Sequence, residues 1–181
     1  MNLPIRHGAA LVALTLATAL GACSHEDVSF RHFRVVDATH VALYSRTAPM
    51  AILADDGSLS IDARPVPLEP AQQAQLKDFH TRIRTLMDDA LATGRAGVAT
   101  ATTALGAVAS GLASGDPDSI GRKVDAKAAE VDAAAARICV DLARLRAQQQ
   151  TIATGLPAFA PYAGITADEV ASCTGRQSQR P

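Results

Sequence analysis

Tryptophan is absent from the sequence, and other residues that common recognition surfaces require are scarce. Aromatic residues make up 3% of the 181 residues, which argues against stacking platforms for bases or sugars. The formal net charge of −1 indicates no basic face for nucleic acid. The sequence contains no G-x-S-x-G, no H-E-x-x-H and no Gly-rich phosphate loop. We therefore expect a protein that is not an enzyme, uses no cofactor and binds no nucleic acid, although dispersed residues can converge into a catalytic site.

The first apolar run of the chain is short and ends at a cysteine. Residues 1–8 carry a positive charge, residues 9–19 are apolar, and Leu20-Gly21-Ala22-Cys23 follows. This layout is typical of a secretory signal, and the run is shorter than the roughly 20 residues of a membrane-spanning helix. The last four residues resemble the lipobox of bacterial lipoprotein precursors. The resemblance implies cleavage before Cys23 and its acylation, palmitate included, and Ser24 in the next position favours the outer membrane.

These features predict where in the cell the protein is located. We expect residues 1–22 to be a signal peptide and residues 23–27 to be a lipidated tether on the periplasmic face of the outer membrane. Several acyl chains make a stable anchor, because each buried methylene contributes about 0.8 kcal/mol. The alternative is an ordinary signal peptide that happens to contain a cysteine.

Two further cysteines, Cys139 and Cys173, remain if Cys23 is acylated. An exported chain meets oxidising conditions, so we expect these two to form a disulfide. Two buried free thiols are the alternative. Redox catalysis is not favoured, because the sequence has no C-x-x-C motif.

Apolar residues alternate with a period near two between residues 28 and 68. Turn signals at Asp55-Asp56-Gly57 and Asp62-Ala63-Arg64 divide this region. The pattern predicts an antiparallel meander of four or five short strands. Pro65 and Pro67 place the last strand at an edge, since proline cannot donate to the ladder.

The apolar period changes at Pro70, a residue that suits the first turn of a helix. We expect one helix from there to about Ala113 and a second from about Asp118 to Thr154. Heptad spacing in both helices, with the turn between them, predicts an antiparallel hairpin over residues 69–155. The predicted seams contain these residues: Leu91, Val98, Leu105 and Leu112, with Met87, Gly94, Ala101 and Val108, on the first helix, and Val124, Val131, Ile138, Leu145 and Ile152, with Ala128, Ala135, Leu142 and Gln149, on the second.

Folding the hairpin at residue 117 sets a predicted register. It places Val98 near Ile138, and it places Asp88 near Arg144. Residues 96–115 carry no charge, so a membrane-spanning helix has to be weighed. Small residues dominate this stretch and its large residues lie on one stripe, which favours a buried hairpin helix over a lipid-inserted or self-associating one.

Residues 156–181 are expected to return along the hairpin. Pro157 and Pro161 predict a loop, and Thr166 to Glu169 fit a capping box that starts a short helix ending near Cys173. Together these elements predict an α+β fold in which residues 28–173 form one unit.

The histidines suggest little chemistry. His25-Glu26-Asp27 is interpreted as part of the solvated tether, and His80 is expected to be exposed or half-buried. His32 and His40, with Asp37 between them, could converge in the meander. They lack regular ligand spacing, so no metal site is predicted.

The junction between meander and hairpin carries a family resemblance. Residues 53–91 read LADDGSLSIDARPVPLEPAQQAQLKDFHTRIRTLMDDAL and are similar to the YggN-like family of proteobacterial periplasmic proteins of unknown function. The matching positions are Gly57, Leu59, Ile61, Val66, Leu68, Gln73, Leu76, Phe79, Ile83 and Arg84. The chain departs from the family in its lipobox, in Ala63-Arg64 at the second turn and in its Cys-bearing tail. The resemblance implies an envelope location and supplies no activity and no catalytic residue.

The sequence therefore favours a non-catalytic envelope lipoprotein that serves as a structural or interaction module in the periplasm. Its expected partners are the membrane, through the anchor, and an envelope protein or a second copy of the chain. The alternative is a carrier of an apolar small molecule or lipid, in a cleft lined by Met50, Met87 and Phe159. A hydrolase or redox enzyme assembled from dispersed residues is the third hypothesis.

Overall fold

The computed structural model describes residues 31–114 and 117–178, and it has the α+β architecture that the sequence predicts. Residues 1–22 and the tether 23–27 lie outside the described residues. The strands are β1 (Phe33–Val35), β2 (His40–Leu43), β3 (Ala51–Ala54), β4 (Leu59–Ile61) and β5 (Arg64–Pro65). The helices are α1 (Pro70–Ser114), α2 (Pro117–Gly155) and α3 (Ala167–Ser178), with a 3₁₀ turn at Pro157–Tyr162.

The five strands form one antiparallel sheet in sequence order, as a meander requires. Alternation of apolar residues explains the register, because it places apolar side chains opposite one another on a single face. Val41 pairs with Leu53, and Leu53 pairs with Leu59. These three side chains are buried. Pro65 lies in the edge strand β5, where its missing N–H costs no ladder bond.

The turn between β3 and β4 fixes the sheet on the first turns of α1. Gly57 has φ +86° there, and a Cβ added to it would lie 2.2 Å from the carbonyl oxygen of Gln73. Gln73 Nε2 in turn donates to the carbonyl oxygen of Asp56 at 3.1 Å. Only glycine permits this conformation together with so close an approach to a helix backbone.

The lower part of the hairpin, which we call the hairpin base, consists of residues 70–90 of α1 and 138–155 of α2. It forms a single core with the sheet and the 3₁₀ turn. Long-range hydrogen bonds link its helices. Gln72 Nε2 donates to the carbonyl oxygen of Gly155 at 2.8 Å, and Gln148 Nε2 donates to Asp78 Oδ2 at 2.9 Å and to the carbonyl oxygen of Gln75 at 3.4 Å. The buried apolar side chains of the base are Leu76, Phe79, Ile83, Leu86, Met87, Cys139, Leu142, Leu145 and Ile152.

The upper part of the hairpin, which we call the hairpin arm, consists of residues 91–106 and 121–137. None of its described side chains is buried. The uncharged stretch predicted to be a buried helix is therefore half-buried or exposed where its side chains are described, in residues 96–104 and at Gly106. Leu105, Val108 and Leu112 of the predicted seam lie outside the described side chains. Within the part of the chain that the structure describes, neither long helix is apolar enough over sufficient length to cross a membrane.

The predicted seam of α1 is wrong in the arm. Val98 is 62% exposed and Leu91 is 38% exposed, so neither packs in the interface with α2. The half-buried residues of α1 in the arm are instead small: Thr93, Gly97, Thr100 and Ala104. They continue the three-and-four spacing of the buried residues in the base, because one face of a regular helix stays turned toward its partner.

The predicted register of the hairpin is also wrong. Gln148 lies beside Asp78, whereas the predicted register places it beside Asp88, nearly three helical turns further along α1. The prediction that Asp88 lies near Arg144 is therefore wrong as well. Arg144 Nη1 pairs with Asp141 of its own helix at 3.1 Å.

The return segment, which begins at residue 156, is packed against the core. The segment at Pro157–Tyr162, predicted as a loop, is a 3₁₀ turn that buries Phe159 against Phe79, edge to face at a centroid distance of 5.5 Å. The buried amide of Gln149 donates to the carbonyl oxygen of Ile165 and accepts the Ile165 N–H at 3.2 Å. Gln149 thus satisfies both backbone groups that would otherwise be buried without partners.

Candidate functional site

Polar contacts and surface depressions of the described residues include one group around the start of β1 and another along the hairpin arm. The first centres on a hydrogen bond between His32, which directly precedes β1, and Glu169 of α3. His32 Nε2 donates to Glu169 Oε1 at 2.9 Å, across a sequence separation of 137 residues. Gly164 lies against the same imidazole, since a Cβ on it would come within 2.4 Å of His32 Nδ1.

Glu169 also completes the capping box that the sequence predicts. Its Oε2 accepts the Thr166 N–H at 2.8 Å, and its own N–H donates to Thr166 Oγ1 at 3.2 Å. Burial acts to raise the pKa of Glu169, but the hydrogen bonds from Thr166 and His32 outweigh burial and lower it. The carboxylate is therefore ionised at neutral pH and already committed to these donors.

Two depressions meet at this hydrogen bond, and Arg31, His32 and Glu169 line both of them. We call them together the α3 cleft. The polar part has a volume of about 420 Å³ and also contains Tyr44, Ser45, Arg46, Thr47, Pro161, Gly164 and Thr166. The apolar part has a volume of about 340 Å³ and also contains Phe33, Ile138, Leu142, Ile165, Asp168, Ser172 and Cys173.

A disulfide holds α3 over the apolar part of the cleft. Cys139 of α2 and Cys173 of α3 are bonded, with their Cα atoms 5.6 Å apart, as the sequence predicts. The helix continues past Cys173 to Ser178, beyond the predicted end. The third cysteine, Cys23, which is the predicted lipidation residue, lies outside the described residues.

A groove of about 420 Å³ runs along one side of the hairpin arm. Thr93, Thr100 and Thr103 donate their hydroxyls to carbonyl oxygens of their own helix four residues earlier. The surface they present is consequently less polar than their residue type suggests. The full lining is Asp89, Ala92, Thr93, Ala96, Ala99, Thr100, Thr103, Lys127, Glu130, Val131, Ala134 and Arg137.

Of His32, Asp37 and His40, which the sequence left as residues that could converge, only Asp37 and His40 meet. His32 pairs with Glu169, whereas His40 Nδ1 lies 3.0 Å from Asp37 Oδ1. A hydrogen bond from the backbone N–H of Thr39 and a smaller contribution from the side chain of His40 lower the pKa of Asp37 to about 2. No group of three or more His, Cys, Asp or Glu suited to a metal ion occurs within residues 31–114 and 117–178. His25-Glu26-Asp27 lies outside the described residues.

His80 is buried, which corrects the prediction that it lies at the surface or half-buried. Its exposed fraction is 4%, and its Nε2 has no hydrogen-bond partner. Burial lowers the pKa of His80, with Asp55 acting in the opposite direction. The sequence placed it beside Phe79 on the helix, but packing of the sheet turns against α1 buries it.

The cleft proposed from sequence for an apolar ligand is not formed by its predicted residues. Met50 is 50% exposed, whereas Met87 and Phe159 are packed in the core at 6% and 0% exposure. Phe159 is occupied by its contact with Phe79. These three side chains therefore do not share a cavity.

Comparison with known proteins adds a family but no activity. The model of a family described as a protein of unknown function, DUF2884, matches residues 27–119. This segment contains the sheet and α1, whereas most of α2, the disulfide and α3 follow it. Neither a curated protein nor a solved structure matches the chain significantly.

Proposed function

The chain belongs to the DUF2884 family, whose function is unknown, and from this premise we propose that it is a non-catalytic envelope lipoprotein that binds another envelope protein through its hairpin arm. The single observation that supports this most is the division of the hairpin. The base is a packed core, while the arm has no buried side chain among those described and carries a groove lined by both of its helices.

The partner that fits the groove best is an α-helix. Residues 89–103 of α1 extend along it, which corresponds to about 20 Å at 1.5 Å per residue. Its lining includes Ala92, Ala96, Ala99 and Ala134, and small side chains let a third helix approach closely. Asp89 and Arg137 offer charges of both signs for a complementary amphipathic helix.

The envelope location rests on the N-terminal sequence and on the similarity to YggN-like periplasmic proteins. Cleavage before Cys23 and acylation of its thiol would anchor the chain to the outer membrane, facing the periplasm. The disulfide between Cys139 and Cys173 is consistent with an oxidising compartment. A non-catalytic role agrees with the engagement of His32 and Asp37 in structural hydrogen bonds.

The location is tested by mass spectrometry of the N-terminal peptide from cells that make the full chain. Acylated Cys23 at the new N terminus is the expected result, and Cys23→Ala should abolish the acylation. An unmodified Cys23 thiol would disprove the anchor.

The partner is tested by placing a photoreactive amino acid at Thr100, which lines the groove, in cells that make the full chain. The same substitution at Thr102, which is exposed on the same helix but absent from the groove lining, is the matched control. We expect a discrete adduct at Thr100 alone, whose crosslinked peptide maps to a helical segment of an envelope protein. Ala96→Trp should block the groove and abolish the adduct.

Other outcomes of this experiment count against the proposal. An adduct with twice the mass of the chain would replace the envelope partner with a second copy. Equal adducts at Thr100 and Thr102, or none at either position, would remove the groove as a binding surface.

A further inference from the structure

The α3 cleft has an apolar end that is built from several elements. Phe33 comes from β1, Ile138 and Leu142 from α2, and Ile165 from the segment before α3. The disulfide at Cys173 ties α3 to α2 beside these side chains. A covalent tie keeps this surface in one shape, which reduces the ordering cost of binding an apolar chain.

The other end of the cleft is cationic. Arg46 and Arg31 are both exposed there, and Arg31 also lines the apolar end. Neither guanidinium is ion-paired with a described carboxylate. Glu169, the acid shared by both ends, already accepts hydrogen bonds from His32 and Thr166.

An apolar surface that continues into a pair of arginines matches a ligand with the same division. Guanidinium groups recognise carboxylate and phosphate oxygens through paired, charge-assisted hydrogen bonds. Removal of apolar area from water also favours binding. A ligand that carries both features gains from both ends, whereas a free anion or a neutral hydrocarbon gains from only one.

We propose that the α3 cleft binds an amphiphile that has a single apolar chain and an anionic head group, with the chain against Phe33 and Leu142 and the head group between Arg31 and Arg46. The head group is a carboxylate, as in a fatty acid, or a phosphate, as in a lysophospholipid. This site is separate from the arm groove and does not depend on the protein partner.

The proposal is tested with 11-(dansylamino)undecanoate, a fluorescent fatty acid. The protein is the full chain carrying Cys23→Ala, so that it carries no acyl chain of its own. We expect saturable binding, with one probe per chain. Competition by oleate and by an oleoyl lysophosphatidate distinguishes a carboxylate from a phosphate head group, and monoolein, which has no charge, should compete at least tenfold more weakly than the better of the two.

Two pairs of variants separate the cleft from general electrostatic attraction and surface hydrophobicity. Arg31→Gln with Arg46→Gln should weaken probe binding at least tenfold. Arg64→Gln with Arg95→Gln changes the net charge equally at exposed positions outside the cleft and should leave binding within twofold.

Ser172→Trp should fill the apolar end and abolish binding, whereas tryptophan at the exposed neighbour Ala171 should not. Circular dichroism checks that each variant retains the helical content of the parent. Absence of saturable binding, equal losses in the two arginine pairs, or competition by monoolein as strong as that by oleate would each overturn the proposal.

Discussion

Breaking the disulfide should destabilise the whole protein by several kcal/mol. Cys139 and Cys173 are separated by 34 residues, and the chain-entropy model assigns about 3.8 kcal/mol to closure of a loop of that length. Most of this contribution comes from restricting the unfolded chain, so it does not require new contacts in the folded protein. The double variant Cys139→Ala with Cys173→Ala should lose about 3–4 kcal/mol of unfolding free energy.

The assay is urea unfolding followed by circular dichroism at 222 nm, because the chain has no tryptophan for fluorescence. With a urea dependence of about 2 kcal/mol per molar, the midpoint should fall by roughly 2 M. Reduction of the parent protein should give the same shift, with Cys23→Ala present throughout so that only one thiol pair responds. A midpoint within about 0.3 M of the oxidised parent, in both the reduced protein and the double variant, would refute the reasoning.

Three further changes test individual contacts by urea unfolding. Gly57→Ala should cost more than about 2 kcal/mol of unfolding free energy, because it combines a positive φ with a clash against α1. The control Gly94→Ala, at an unobstructed helical position, should be neutral or stabilising by up to about 1 kcal/mol. Equal effects of the two substitutions would contradict the packing of the turn against α1. Gln149→Leu should cost about 2–4 kcal/mol, because it leaves the N–H and carbonyl of Ile165 buried without partners, and a cost below about 0.5 kcal/mol would argue against those bonds. Burial lowers the pKa of His80, so the unfolded chain binds the proton more tightly and the unfolding free energy should fall as pH drops below 6.5. His80→Gln should flatten this pH dependence of stability, and an unchanged pH dependence would contradict the burial of His80.

Much of the secondary structure was predictable from the sequence, because local signals and apolar period agree in it. The change of period at Pro70 marks the start of α1, and the turn signal at Asp55-Asp56-Gly57 separates β3 from β4. The seam of α2 was also predictable, since its large apolar residues recur at one spacing through Ile138, Leu145 and Ile152.

The seam of α1 could not be read in the same way. In the arm, the predicted seam contained the large residues Leu91 and Val98. The face that meets α2 carries Thr93, Gly97 and Thr100 instead. Because α1 is one continuous helix, the face that contacts α2 in the base also contacts α2 in the arm. Heptad positions counted from Leu91 lie on a different face. The hairpin register failed for the same reason, because it was derived from pairing the large residues.

The α3 cleft was beyond sequence reasoning. His32 and Glu169 are 137 residues apart, and no local pattern links a residue before β1 to a helix cap near the C-terminal end. The capping box that places Glu169 was recognisable, and the disulfide could be inferred from cysteine count. What the sequence lacks is the way in which the 3₁₀ turn returns α3 to β1.

The division of the hairpin into a packed base and an unburied arm is the central claim, and backbone amide hydrogen exchange tests it most directly. Amides of residues 76–87 should be protected up to the free energy of global unfolding, whereas amides of residues 92–104 should exchange through smaller openings. The same contrast is expected between residues 139–152 and 124–135 of α2. Equal protection along both helices would contradict the account, because it would show that the arm is held as firmly as the core.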